Sequence, residues 1–401
     1  MTTTARITWG AASARRLQRQ FLASSARTGT PVADVVGAML AAHAQVLSAA
    51  EVSVGIRSAE GVTRADVRAA LWPGTAGAAG PPAAPGSSPA TLVKTYGPRG
   101  TVHLLPAHDL PLWSAALTAV PAGTSPFPPA AQLTEEQARQ VVAAIGDALD
   151  GTFLTIDELG EEVVARTGPW AGDLVMPAFQ DMWPRWRQVV HRAGHAGALC
   201  FGPNRGRKVT YTRPPHFTPV TAREGLRALV RRYLHAYGPA TPQHFAKWLA
   251  APAGWAVRLY TELSAAGEIE EVDFEGAPAW VAAGDTVFPD EPARGVRLLP
   301  YFDAYVIAAQ PRELLFPGAA HRRALAGGQA GNFPVLLVDG VAAGVWHQRR
   351  RGRRTTITVE PLGRLTARQE RQLAAQADRV AAVLEAEAEL VVGEVTVGPH
   401  A

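Results

Sequence analysis

Residues 198–212 read ALCFGPNRGRKVTYT. Two short runs, 198–201 and 209–212, flank a turn composition, Gly202-Pro-Asn-Arg-Gly-Arg207, that carries Arg205, Arg207 and the adjacent Lys208. The pattern predicts a β-hairpin with a basic tip. Before it, residues 137–149, 156–167 and 176–193 place apolar side chains at helical intervals, and Thr134 followed by Glu135 and Glu136 supplies an acidic first turn. Three helices closed by a basic hairpin are the outline of a winged helix.

The outline recurs on both sides. Upstream, residues 11–22, 31–42, 49–56 and 64–71 read as helices, the last opened by Thr63. Residues 73–90, PGTAGAAGPPAAPGSSPA, hold too little apolar surface to offset their ordering entropy and read as a flexible linker. Downstream, Thr221 opens a helix over 223–236, two more follow over 241–249 and 255–266, and 269–274 with 279–282 makes a hairpin. After residue 297 the pattern turns to strands at 298–299, 305–308, 335–338, 341–347 and 355–360, then a helix over 366–388 and a last strand at 389–392. The segment 101–105 reads as a further strand of that sheet. The expectation is an α+β protein with winged-helix modules at 1–72, 133–220 and 221–290 and a linker at 73–90. A connection at 91–132 lends a strand to an antiparallel β-barrel-like domain at 291–401 with its closing helix.

The 401 residues suffice for two to four domains. A single cysteine, Cys200, rules out an internal disulfide and any cysteine-cluster metal site, as suits a reducing compartment. No apolar run approaches the ~20 residues of a membrane span, and residues 1–10 lack the apolar core of a signal peptide, so a soluble cytoplasmic protein is expected. Formal net charge is only +4, but Lys94, Lys208 and Lys247 are the only lysines, so the positive charge is nearly all arginine, suited to bidentate phosphate contacts. The densest cluster, Trp346-His-Gln-Arg349-Arg350-Arg351-Gly-Arg353-Arg354, lies between two strand-like runs. Five arginines on one turn repel, and DNA phosphates would relieve that repulsion; the alternative is a solvated turn. His191 and His195 stand at i, i+4 without an intervening Glu or a third ligand, and His103, His108 and Asp109 lack a nucleophile elbow, so neither a metal nor a cofactor is expected. Trp183, Trp186 and Trp248 read as core, and Asp303 as a structural acceptor or a helper at a DNA surface.

Four segments carry a resemblance. Arg99-Gly-Thr-Val-His-Leu-Leu-Pro106, Leu199-Cys-Phe-Gly-Pro-Asn-Arg-Gly206, Arg232-Tyr-Leu-His-Ala-Tyr-Gly-Pro-Ala240 and Leu299-Pro-Tyr-Phe-Asp-Ala-Tyr305 resemble the AlkZ-type winged-helix DNA glycosylases, whose relatives include the YcaQ-type enzymes. The resemblance implies three tandem winged helices around a channel completed by a β-barrel. It also implies a catalytic Gln-x-Gln or Gln-x-Asp motif near the end of an early helix. Here the matching segment, Met39-Leu-Ala-Ala-His-Ala-Gln-Val46, reads His43-Ala44-Gln45. This resembles a His-x-Gln branch associated with self-protection by makers of DNA-alkylating antibiotics, and leaves the role of the first position open between general base and shape complement.

Side chains at i and i+2 point the same way only on extended backbone, so His43 and Gln45 can cooperate only if the helix has unwound by Ala42. An N7- or N3-alkylated purine already carries positive charge, so its C1′–N bond breaks without strong acid catalysis, and placing a water is what remains. Gln45 offers an amide to orient that water and neutral His43 an acceptor for its proton. No lysine lies in the motif, so Schiff-base lyase chemistry has no candidate. The reading is a monomeric, cofactor-free, monofunctional glycosylase acting on duplex DNA with alkylpurine adducts. Its rivals are a winged-helix transcriptional regulator and a protein that binds adducts without cutting.

Overall fold

The computed structural model describes residues 6–74, 89–123, 125, 127–178 and 181–399, so most of the expected linker at 73–90 lies outside the described residues. The protein is α+β, and its packing divides it into two compact units. One comprises Met1–Arg68, Val230–Trp248 and Ala253–Ala401; the other comprises Ala69–Leu229 and Leu249–Pro252.

The first unit is built on a curled, half-barrel sheet of five strands: Val296–Leu299, Val335–Val338, Val341–Arg351, Arg354–Pro361 and Glu387–Val392. Neighbours run antiparallel except the last pair, which is parallel. Period-two patterning sets its faces: Thr355, Ile357 and Val359 are buried, while Arg354, Thr356 and Thr358 alternate with them on the opposite face. The helix Ala367–Val383, opened by a Thr366/Gln369 capping box, buries Leu373, Ala377, Val380 and Val383 in the same core. Ala14 and Leu17 of the helix Trp9–Arg19 and Val52 of the helix Leu47–Gly55 join it, so the first helices share a core with the C-terminal sheet. At Gly55 a Cβ would collide with the Val383 side chain, so only glycine permits this approach. A smaller sheet pairs Arg6–Ile7 parallel to Ile269–Phe274, which is antiparallel to Ala277–Ala282. Residues 305–308, expected as a strand, form the helix Ala304–Ala308, because the Asp303 carboxylate accepts the Tyr305 N–H at 3.0 Å and caps it.

In the second unit, Thr134 with Gln137 and Thr155 with Glu158 form capping boxes that open the helices Glu135–Ala148 and Ile156–Thr167. The quoted hairpin forms: Thr210–Thr212 lies between Leu154–Thr155 and Cys200–Phe201. The helix expected over 176–193 does not. A hairpin, Leu174–Pro177 with Met182–Pro184, is followed by a 3-10 turn, Arg185–Val189, and a short helix, Val190–His195. Pro177 and Pro184 lack the amide hydrogens that a continuous helix needs. Trp186 is buried as expected, as is Trp248 in the first unit, but Trp183 is 39% exposed with the Arg187 guanidinium 3.8 Å above its ring. The strand Val102–Pro106 is also placed differently. It folds back on Leu92–Tyr96 through a turn in which Arg99 and Gly100 are left-handed, whereas the described strands of the five-stranded sheet all fall between Val296 and Val392.

Candidate active site and basic hairpins

The helix Val32–Ala38 stops well before residue 42 because Leu40 adopts φ +71°, a left-handed conformation that no helix continues through. Two contacts hold the break: the Tyr237 hydroxyl donates to the Met39 carbonyl at 2.7 Å, and the Ser53 hydroxyl lies 3.7 Å from the Met39 sulfur. The chain then extends as Ala42–His43, and no helix resumes until Leu47, after an extended Val46 at φ −110°, ψ 103°. The backbone from 42 to 46 is therefore non-helical, as joint action of His43 and Gln45 requires. His43 is buried at 8% exposure, Gln45 is exposed, and the His43 ring stacks on Phe302 with centroids 4.6 Å apart.

Phe302 sits in an overdetermined turn. Its own φ is +55°, and its N–H donates to the Gly331 carbonyl at 2.9 Å. The next residue, Asp303, accepts from both terminal nitrogens of Arg57 at 2.7 and 2.8 Å and from the Ser53 hydroxyl at 2.7 Å. Both charged side chains have no solvent exposure, which corrects the idea of Asp303 as a helper at a DNA surface. Removing one partner of such a pair strands a buried charge at a cost of about 3–5 kcal/mol, so this lock holds Phe302 against the helix that follows the motif.

Beside this turn lies a cleft of about 300 Å³, walled by Val46, Ser48 and Ala49 on the motif side, by Pro300–Phe302, and by Trp346, His347 and Gln348. Its origin is a difference in strand length. Val296–Leu299 ends and Val335–Val338 begins where the eleven-residue strand Val341–Arg351 continues past them. Trp346 closes the floor, its backbone N–H donating to the Pro334 carbonyl at 3.1 Å and its indole to the Leu299 carbonyl at 2.8 Å. Burial, with the Arg349 charge adding to it, lowers the His347 pKa.

Beyond the cleft the same strand turns through Gly352, at φ +59°, into Arg354–Pro361. Arg349, Arg350, Arg351, Arg353 and Arg354 are all exposed at this tip. Arg350 is used internally, donating to the Gly352 and Leu384 carbonyls at 3.0 and 3.1 Å. The other four have no acidic partner within ion-pair distance among the described residues. In the second unit, Arg205 pairs with Glu158 at 2.8 Å and also donates to the Phe153 carbonyl, Lys208 pairs with Asp157 at 3.0 Å, and Arg207 alone of the three stays unpaired among the described residues.

His191 and His195 line a separate cleft of about 830 Å³ in the second unit, together with Arg99, Arg139 and Arg192. Their rings lie 5.7 Å apart. Burial pushes both imidazoles down, His195 to about 4. Sequence reasoning had not singled out Phe302, His347 or Gln348 as lining the site. Phe302 stands in one of the quoted segments and the other two immediately precede the arginine cluster, but only folding reveals that they share a cleft with residues 46–49.

The chain matches the family model described as DNA glycosylase AlkZ-like over residues 36–383. It is 30% identical over 358 residues to the interstrand DNA cross-link repair glycosylase of Streptomyces sahachiroi, with 84% of this chain and 87% of that protein covered. The solved structure of Streptomyces sahachiroi DNA glycosylase AlkZ superposes with a TM-score of 0.72 at 27% identity, covering 96% of this chain and all of that one. Fold and relatives together define a DNA-binding repair enzyme, a DNA glycosylase. More narrowly, the chain belongs to the AlkZ-like DNA glycosylase family.

Proposed function

We propose that this glycosylase hydrolyses the N-glycosidic bond of purines carrying bulky N7 or N3 alkyl groups in duplex DNA, and that it serves resistance to a DNA-alkylating natural product. The observation that carries the reading is the His43-Ala44-Gln45 segment on non-helical backbone, with His43 stacked on Phe302 at the edge of an aromatic cleft. A relative named for repairing interstrand cross-links supports a bulky lesion as substrate.

The positively charged purine leaves as the C1′–N bond breaks and departs as a neutral base. Water, held by the Gln45 amide, forms the new C1′–O bond and gives its proton to His43. A large adduct need not be swallowed whole, so full base extrusion is unnecessary. The arginine tip at 349–354, and to a lesser degree Arg205, Arg207 and Lys208, would hold phosphates. In this reading the modules at 1–72, 133–220 and 221–290 act as winged helices, and one cytoplasmic monomer suffices.

Gln45→Ala should slow single-turnover excision with little change in DNA affinity, and His43→Ala should cost ~10²–10⁴-fold if proton acceptance limits the rate. Mass spectrometry of bases released from alkylated duplex is the measurement. Wild-type rates in both variants would remove the motif from the chemistry. Loss only in Gln45→Ala would make His43 a shape complement, and no released base from the wild type would favour a binding protein.

A further inference from the structure

His347 belongs to no family segment quoted above, yet it walls the cleft with Tyr301, Phe302 and Trp346. Its Nδ1 is buried and has no hydrogen-bond partner among the described residues. Nδ1 is thus closed to a ligand in either tautomer, which leaves Nε2 as the ring nitrogen that can meet one, as a donor when it carries the proton. Burial and the neighbouring Arg349 charge both favour the neutral ring. The ring is half-buried, and with Nδ1 enclosed its Nε2 edge is the part left accessible. Period-two geometry puts His347 and Arg349 on one strand face, roughly 7 Å apart along the strand, so a backbone phosphate held by Arg349 brings DNA alongside the cleft.

Resting on the proposed reaction at His43 and Gln45, we propose that His347 selects the substituent on the alkylated purine. An aromatic substituent carrying an oxygen acceptor stacks on Tyr301 and Phe302 and accepts a hydrogen bond from His347 Nε2. The cleft, about 300 Å³, is large enough to seat one aromatic group against these rings while the rest of a larger adduct stays outside.

Three duplexes of one sequence test this, carrying N7-methylguanine, N7-benzylguanine or N7-phenacylguanine at one position. The phenacyl group adds a ketone to the aromatic ring; the methyl group reports on the His43–Gln45 chemistry alone. Dissociation constants and single-turnover release are measured for the wild type, His347→Phe and His347→Gln. In dissociation constant the wild type should prefer phenacyl over benzyl by roughly two- to tenfold, His347→Phe should bring that ratio to about one, and His347→Gln, which keeps an N–H donor, should restore part of it; release rates are compared between variants on the same duplex, because the ketone itself speeds departure of the base. A wild-type ratio of one, a ratio that survives in His347→Phe, or an equal loss on all three duplexes would overturn the assignment. If the wild type releases no base but its binding preference still collapses in His347→Phe, the proposed reaction fails and the role of His347 stands.

Discussion

Two hairpins, one in each unit, carry the basic clusters that the sequence makes most visible, and folding treats them oppositely. At 205–208 the first turn of the helix Ile156–Thr167 supplies Glu158 and Asp157, which neutralise Arg205 and Lys208. The Glu158 carboxyl is held low chiefly by the Thr155 backbone and hydroxyl hydrogen bonds of the capping box, with Arg205 adding to them. At 349–354 only Arg350 is employed internally, and four guanidiniums crowd one exposed turn without acidic partners among the described residues. Local charge density is similar in sequence, but what distinguishes the turns is whether the chain spends its own carboxylates on them. An unspent cluster is the one that gains most from phosphates.

The largest effect expected from this contrast follows the removal of Arg349, Arg351, Arg353 and Arg354 together. With ~0.9 lost from the log–log salt slope per phosphate contact, four serines should lower the slope of duplex binding by about 3.6. An unchanged slope in a salt titration would reduce this tip to a solvated turn. Next in size is Asp303→Ala, which leaves Arg57 buried and uncompensated and should destabilise the first unit by about 3–5 kcal/mol in urea unfolding, whereas exposed pairs such as Lys208–Asp157 are worth under about 1 kcal/mol.

A smaller effect is pH-dependent and belongs to the second unit. His195 titrates at about 4 when folded because burial disfavours its charge, against ~6.5 when unfolded. As pH falls below ~6.5 the unfolded chain takes up the proton first, so stability present above that pH is lost progressively down to about 4. His195→Gln should flatten the decline of second-unit stability across that window in hydrogen-exchange measurements. Smallest is the pair Asp157→Asn and Glu158→Gln, which releases Lys208 and Arg205 while glutamine preserves the capping box. If pairing is what limits the 205–208 hairpin to a lesser share of the phosphates, the salt slope should steepen by up to ~1.8; no steepening would mean that its pairing is not what limits it.

Local signals were legible where the physics is local. The helix start at Thr134, the helix Ile156–Thr167, the turn that carries the arginine cluster and the strand that follows it depend on neighbours within a few residues, and each was readable in the sequence. Misreadings fell where spacing imitates another structure. Apolar residues over 176–193 keep helical intervals, yet Pro177 and Pro184 divide them into a hairpin and a turn. Tyr305 and Val306 read as a strand until Asp303 caps them into a helix.

The His43-Ala44-Gln45 motif was visible in the linear chain, and so was its requirement for extended backbone, because both follow from residue type and side-chain period. Meeting that requirement took contacts across nearly the whole length of the first unit. Tyr237 holds the Met39 carbonyl where the helix breaks, and Arg57 locks Asp303 so that Phe302 lies against His43. The cleft, too, exists only because strands far apart in sequence end at different heights. Side-chain chemistry is a property of each residue and survives in a string of letters; the distance between residues 43, 302 and 347 is a property of packing, set by burial and hydrogen bonds that no local window contains.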